Sequence, residues 1–188
     1  MRISVRHLLP IAAMLLATAA HAAPLSYTNV DVGIVSTELT DSSLDGDGVL
    51  VRGSLAVHQS FFLLASVSDI GYDNDVDGFS WTLGAGGHMP INKQIDLVGR
   101  LAYVQQDLDY RGGNNNESGY MLSGTVRGFV MDKLELEGGV QHVNLEDSGN
   151  DTSLIGEGRY FFTDRIAGGV LVQLGDASAF GINVRFTF

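Results

Sequence analysis

Charged residues recur at alternate positions inside apolar segments, and these are the residues of the chain that could do chemistry. Glu157 and Arg159 lie two positions apart, so both point to the same side of an extended strand. Nine charged residues share one predicted side of their strands: Asp31, Arg52, Arg100, Arg127, Glu135, Glu137, Glu157, Arg159 and Arg185. Charges in a confined space are costly unless they pair, so bidentate Arg–carboxylate contacts are expected. A narrow, ion-selective passage would carry the same residues, and both interpretations stay open.

Aspartates supply a second candidate site. Asp73, Asp75 and Asp77 alternate and precede Gly78, which matches the opening of an EF-hand loop. The twelfth position is Gly84 rather than Glu, so an EF-hand is excluded. The spacing predicts at most a weak, exposed Ca²⁺ or Mg²⁺ contact, with a plain solvated hairpin loop as the competing interpretation. No other cofactor is predicted.

Histidines are the third group of residues that could take part in catalysis. His58, His88 and His142 follow residue 22, and we expect each to be an interfacial polar residue. The spacing of His58 and Ser60 occurs in a barrel lipid A deacylase, but no carboxylate lies nearby in the sequence. No Ser/His/Asp set is recognisable by role and spacing, so an enzyme is not predicted. A barrel hydrolase stays as the third-ranked alternative.

The elements that carry these residues are strands. Apolar and polar residues alternate in ten segments separated by Gly, Asn, Asp and Ser, whereas sustained helical spacing is missing after residue 22. The predicted strands are 25–38, 47–57, 61–72, 77–88, 95–108, 118–131, 134–145, 152–162, 166–174 and 179–188. Eight strands remain possible if two of the weaker segments are not separate.

Two kinds of connection alternate along the chain. Short turns are predicted at 58–60, 89–94, 131–133 and 163–165, and mostly longer, acidic loops at 39–46, 73–76, 109–117, 146–151 and 175–178. Short turns on one rim and longer loops on the other are typical of bacterial outer-membrane barrels. Four turns and five loops place both ends of the predicted strand set on the short-turn rim.

Composition narrows the class of protein. Residues 1–22 read as a cleaved signal peptide, with Arg2 and Arg6 before an apolar run and Ala20-His21-Ala22 as the cleavage site. Residues 23–188 form the predicted barrel domain. They contain no Cys, and nine Lys and Arg oppose 22 Asp and Glu, a net charge of −13. That balance argues against nucleic-acid binding, which needs a basic face.

The last nine residues indicate where the protein resides. Apolar Phe180, Ile182, Val184, Phe186 and Phe188 alternate with Gly, Asn, Arg and Thr. Such a closing strand, together with the export signal and acidic loops, resembles the small outer-membrane β-barrel family of OmpA/OmpX type. The resemblance implies insertion by the barrel-assembly machinery, with Phe186 and Phe188 as the assembly signal. Because ten strands depart from the eight of the OmpX type, no particular OmpX role is carried over.

We therefore predict an all-β, up-and-down antiparallel transmembrane barrel in the bacterial outer membrane, in contact with lipid and lipopolysaccharide. Its apolar side faces lipid, and Tyr27, Trp81, Tyr103, Tyr120, Phe162 and Phe188 form interfacial belts. The third strand fits poorly, because Phe62 and Leu64 share a side with serines. A soluble lipocalin-like barrel, with the apolar side inside, is the alternative fold. The expected role is structural or surface interaction through acidic loops, the alternative is a narrow porin-like channel, and the oligomeric state is left open.

Overall fold

The computed structural model shows a closed antiparallel barrel of ten strands and describes residues 25–39, 44–73, 76–110 and 113–188. The strands are β1 (Asn29–Leu39), β2 (Leu44–His58), β3 (Phe61–Tyr72), β4 (Val76–Pro90), β5 (Ile95–Tyr110), β6 (Gly113–Met131), β7 (Leu134–Leu145), β8 (Gly149–Phe161), β9 (Ile166–Leu174) and β10 (Ala177–Thr187). Each strand pairs with its sequence neighbours, and β10 pairs with β1 to close the barrel. The predicted all-β fold and ten-strand count are confirmed. The predicted signal peptide lies outside the described residues.

Side-chain alternation decides which residues face the bore. Along the closing pair of β1 and β10, Asp31 lies opposite Arg185 and both are buried, whereas Val32 lies opposite Val184 and both are exposed. Because the side-chain period of a strand is two, this one register places every second residue of the two strands inside. No helix in the described part of the chain is long and apolar enough to cross a membrane.

The outer wall is a continuous apolar surface. Its exposed side chains include Ile34, Val49, Leu55, Leu83, Leu101, Leu122, Val140, Leu154, Val170 and Ile182. An exposed apolar surface of this extent is what a barrel wall in contact with lipid presents. Trp81 and Tyr103 pack against each other on this wall with ring centroids 5.4 Å apart, and Tyr160 packs on Phe162 at 5.6 Å. The predicted apolar-outward arrangement is therefore observed, and the soluble lipocalin-like alternative is wrong.

The first strand begins later than predicted. Residues 25–28 are not part of β1, and Tyr27 is buried inside the barrel instead of lying in an interfacial belt. Its phenol binds Asp96 within the barrel, an attachment that alternation along a single strand does not reveal.

The connections are also different from those predicted. Between consecutive strands only two to four residues intervene on either rim. The segment predicted as the loop 109–117 is mostly strand, with Asp109 paired to Asn114 and Tyr110 to Gly113. Backbone pairing continues there although most side chains on both faces are polar. A polar segment without apolar alternation predicts a loop, and that prediction is wrong here. The two rims differ in charge rather than in connection length.

The inward-facing residues of β3 explain why the third predicted strand fitted the alternation poorly. Phe62, Leu64, Ser66 and Ser68 all point into the barrel, while Phe61 is among the residues facing outward. Phe62 is 2% exposed, and its ring lies over Gly86, where any Cβ would collide with it. Phe62 and Leu64 therefore fill one end of the bore, and the serines line the space beyond them.

Candidate functional site: the lumenal ion-pair network and its floor

The strand register brings the nine predicted charged residues to the inner wall. Asp31 lies opposite Arg52 on one side and opposite Arg185 on the other. Across the bore, Glu135 lies opposite Arg159. These neighbouring strands thus present opposite charges at the same level, which is the favourable cross-strand arrangement. The like-charged pair Glu137 and Glu157 also lies at one level, and Arg159 contacts both. Together the nine side chains form one connected set of ion pairs, here called the lumenal network.

One end of the lumenal network is centred on Asp31. The Nε and Nη2 groups of Arg185 donate to its two carboxylate oxygens at 2.6 and 2.7 Å. Arg52 Nη2 donates to Asp31 at 2.9 Å and also to Glu157 at 2.7 Å. The amide of Asn183 donates to the same Glu157 oxygen at 2.8 Å. This bidentate, charge-assisted arrangement is the geometry in which Arg and carboxylate interact most strongly.

The other end is centred on Arg159, which contacts three carboxylates. It pairs with Glu135 and Glu157 and lies 3.2 Å from Glu137. Glu135 also accepts two hydrogen bonds from Arg127, at 2.9 and 3.1 Å. Arg159 therefore joins three acids that would otherwise repel one another.

Arg100 completes the lumenal network from strand β5. It pairs with Glu137 and donates to the hydroxyl of Thr125 at 3.1 Å. Thr125 in turn donates to Glu137 at 2.9 Å, so this acid is bound from two sides.

Two arginines are less buried than the other members of the lumenal network. None of the four acid side chains is more than 9% exposed, and Arg159 is 2% exposed. Arg52 and Arg100 are more open, at 31% and 19%. Buried charges are stable only with full pairing, and loss of one partner leaves a strongly unfavourable unpaired charge.

Tyr27 forms a floor beside the lumenal network. Its ring stacks on Phe62 at 5.0 Å and on His88 at 4.0 Å, and the Arg127 guanidinium lies 4.7 Å from the ring centroid. Val98 is buried in the same cluster. The floor, defined by these side chains, closes the bore at the rim where the described chain begins and ends.

Hydrogen bonds hold the segment that carries Tyr27. Ser54 donates its hydroxyl to the Tyr27 carbonyl at 2.9 Å, and Arg127 donates to the Ser26 carbonyl at 3.0 Å. The Phe188 amide donates to the Thr28 carbonyl at 3.1 Å. The segment is thus tied both to the barrel wall and to the chain end.

The Tyr27 phenol donates to Asp96 at 2.8 Å, and the Nδ1 atom of His88 lies 2.8 Å from the same carboxylate oxygen. Burial raises the pKa of Tyr27 above its ordinary value near 10, so the phenol keeps its proton and remains a donor. His88 was predicted to be interfacial, and this is wrong. The predicted place of Trp81 in a lipid-facing belt already implied that His88 faces inward, because an even-numbered residue of the same strand lies on the opposite side.

The bore also contains an open space. A cavity of about 400 Å³ lies between the lumenal network and the wall made by β2 to β4. That wall carries small hydroxyl side chains, namely Ser54, Ser66, Ser68, Ser80 and Thr82. Ser68 and Ser80 are hydrogen-bonded to each other at 2.7 Å. The charges therefore fill one side of the bore and leave the other side polar but unfilled.

The remaining predicted residues lie at the barrel's edges. Asp73 and Asp77 are exposed, Asp75 lies outside the described residues, and the described residues contain no group of three acids or histidines that could hold a metal ion. His142 faces outward and hydrogen-bonds Thr152 at 2.8 Å. Phe188 is largely exposed at the chain end.

Acidic side chains are concentrated on one half of the outer wall. Where β1 to β5 rise above the apolar band, seven acids face away from the bore: Glu38, Asp45, Asp47, Asp69, Asp77, Asp107 and Asp109. We call them the acidic collar. On β6 to β10 the corresponding described positions carry neutral residues such as Asn116, Asn144 and Thr152. This one-sided charge favours cations and basic partners.

Solved structures show the same fold. The chain is similar to an outer-membrane channel from Pseudomonas putida F1, with a TM-score of 0.52, 10% identity, and coverage of 92% of this chain and 100% of that one. It is also similar to the translocator domain of the autotransporter NalP from Neisseria meningitidis, with a TM-score of 0.51, 11% identity, and coverage of 87% and 89%. For the NanC porin the values are 0.50, 10%, 85% and 100%.

No protein-family model and no curated protein matches the sequence. At these identities the similarity extends to architecture only. The chain therefore has the fold of an outer-membrane β-barrel.

Proposed function

We propose that this chain is an integral protein of the bacterial outer membrane with a closed bore, whose role is structural and whose acidic collar is its interaction surface. The main support for this proposal is that side chains close the bore. The lumenal network occupies one side of the bore with paired, buried charges, and the floor blocks the rim at Tyr27. The resemblance of the closing strand to OmpA/OmpX-type barrels supports the location and the assembly route.

Energetics favour a bore that stays closed. On the side that the lumenal network fills, a hydrated ion would have to separate buried pairs such as Arg127–Glu135 and Arg185–Asp31, and on the open side the floor lies in its path. Removing one partner from a buried pair costs about 3–5 kcal/mol. Small barrels are generally filled by their side chains in this way. The charges thus act as packing rather than as a conduction path.

Conductance in planar bilayers tests the closed bore. The wild-type protein is expected to give no unitary current steps. The double variant Tyr27→Ala/Phe62→Ala removes the floor and is expected to give small current steps through the unfilled side of the bore. Regular current steps from the wild type would overturn the closed-bore proposal.

The acidic collar is suited to lipopolysaccharide through divalent cations. Carboxylate oxygens are the preferred ligands of Ca²⁺ and Mg²⁺, and such ions bridge carboxylates to phosphates when several ligands remain water or phosphate. Asp69 and Asp107 flank the outward ring of Phe79, one step above Trp81, at the level expected for lipid headgroups. We therefore propose a diffuse, cation-mediated contact rather than a dedicated metal site.

Retention by lipopolysaccharide-coated beads tests the collar. The wild type is expected to bind with Mg²⁺ and to be released by a chelator, and a variant with Asp69, Asp77, Asp107 and Asp109 all changed to Asn is expected to lose most of this binding. Glu146→Gln/Asp147→Asn, on the opposite half of the rim, is the matched control. Equal retention of both variants would contradict the proposed surface.

A narrow channel is the second candidate, and the cavity of about 400 Å³ favours it. Its hydroxyl-lined side could carry water or small solutes if the floor moved aside. The bilayer experiment separates the two functions, because a channel predicts wild-type current steps and a closed barrel does not.

A further inference from the structure

We propose that the lumenal cavity is a binding pocket for a small organic anion, specifically a carboxylate. The pocket lies between the lumenal network and the hydroxyl wall formed by Ser66, Ser80 and their neighbours. Its volume of about 400 Å³ is within the range that holds a small ligand. This inference concerns ligand binding and does not depend on whether the barrel conducts.

The proposal depends on two guanidinium groups that are more exposed than the other charges of the lumenal network. Arg52 and Arg100 both line the cavity and are the most open members of the lumenal network, at 31% and 19%. The acids they bind are covered: Glu157 is 8% exposed and Glu137 is 9% exposed. Asp31, Glu137 and Glu157 also line the cavity, but they are covered more fully than Arg52 and Arg100, so these two guanidinium groups are the charges most open to a molecule there.

Donor capacity remains on Arg52. Both of its contacts with acids use the Nη2 group, which donates to Asp31 and to Glu157. Among the described residues, its Nη1 group has no protein acceptor, and an Arg side chain has five N–H donors in total. A carboxylate is the complementary ligand, because it accepts charge-assisted hydrogen bonds in the plane of the guanidinium.

The charge count agrees with an anion. Five guanidinium groups oppose four carboxylates in the lumenal network. Two further inward carboxylates are bound elsewhere, Asp96 at the floor beside Tyr27 and His88 and Glu117 by Ser148 near the opposite rim. The facing wall adds hydroxyl groups, which can donate to an anion without adding charge. A cation in the same place would meet mainly guanidinium groups and would be repelled.

Binding of 4-fluorobenzoate, followed by ¹⁹F NMR on the refolded protein in detergent, tests the pocket. The neutral analogue 4-fluorobenzamide is the ligand control. Ser66→Phe fills the cavity beside Arg52, which lies directly opposite Ser66 on β2. Ala65→Phe is the matched protein control, because it places the same ring on the adjacent, outward-facing residue.

Saturable benzoate binding to the wild type and to Ala65→Phe is expected, with affinity reduced roughly tenfold or more in Ser66→Phe and in Arg52→Gln. Heat-modifiability on gels verifies that each variant is folded. Absence of saturable binding, equal binding of the amide, or unchanged binding to Ser66→Phe would each overturn the pocket. None of these outcomes affects the closed-bore proposal, which the wild-type conductance decides.

Discussion

Replacing Glu135 by Gln removes a charge while leaving the shape of the side chain nearly unchanged. Glu135 is 1% exposed and pairs with Arg127 and Arg159, and an Nη1 atom of Arg185 lies 3.6 Å away. The substitution would leave five guanidinium groups against three carboxylates in the lumenal network. Removal of one partner of a buried ion pair costs about 3–5 kcal/mol, and we expect a loss of unfolding free energy in that range.

Urea unfolding of the protein refolded into lipid vesicles measures this loss. Trp81 is the only tryptophan of the chain and lies on the outer wall, so its fluorescence reports transfer from lipid to water. Glu146→Gln, in an exposed turn, is the matched control and is expected to change stability by no more than about 0.5 kcal/mol. A double-mutant cycle with Arg127→Ala should show strong coupling, with the double variant losing less than the sum of the single losses.

A loss of less than about 1 kcal/mol for Glu135→Gln would contradict buried ion pairing, since ordinary surface changes stay within about 0.5 kcal/mol. Lack of coupling with Arg127→Ala would show that the two residues do not act as a buried pair. Either result would mean that the bore is wetter and more screened than its geometry indicates.

Three further predictions concern the floor, the wall and the lipid-facing surface. The free energy of unfolding should fall as pH rises above about 10, because the unfolded chain releases the Tyr27 proton while the native state retains it. Urea titrations at several pH values should show that this part of the pH dependence is missing in Tyr27→Phe. Gly139→Ala should lower the free energy of unfolding in urea by about 1–3 kcal/mol, because its Cβ would collide with the Gly124 carbonyl and lie 2.7 Å from a neighbouring Cα. Gly124→Ala meets open space and should be nearly neutral. Equal effects of the two substitutions would contradict the inward packing of Gly139. Leu101→Arg should cost about 2–4 kcal/mol in lipid vesicles, while Asp109→Arg, above the apolar band, should stay within about 0.5 kcal/mol; similar losses would place Leu101 outside the lipid.

Alternation along strands made most of the barrel predictable. A period of two assigns Arg127, Glu135 and Arg159 to one side from the sequence alone, and the structure places all three in the bore. The partner of each charge could not be predicted, because it depends on the register between strands and on contacts across the bore. Arg52 and Glu157, for example, are hydrogen-bonded although they lie 105 positions apart in the sequence.

Two features needed the folded structure for different reasons. Tyr27 precedes the first strand, so no alternation applies to it, and its burial depends on cavities that exist only in the closed barrel. The strand pairs around Asp109 and Asn114 are polar on both faces above the apolar band, so they lack the contrast that reveals a strand. The inward position of His88, in contrast, was already implied by the alternation of β4.

Spin-label accessibility in lipid vesicles tests the central claim most directly. The chain has no cysteine, so single Cys variants can be labelled at Leu101 and Val140 on the outer wall and at Ala102 and Gln141 on the inner wall. Labels at the two outer positions are expected to be relaxed by oxygen dissolved in lipid and to be protected from a water-soluble nickel complex. Labels at the two inner positions are expected to lack the oxygen effect. Nickel access at Leu101 and Val140, with oxygen access at Ala102 and Gln141, would contradict the apolar-outward arrangement.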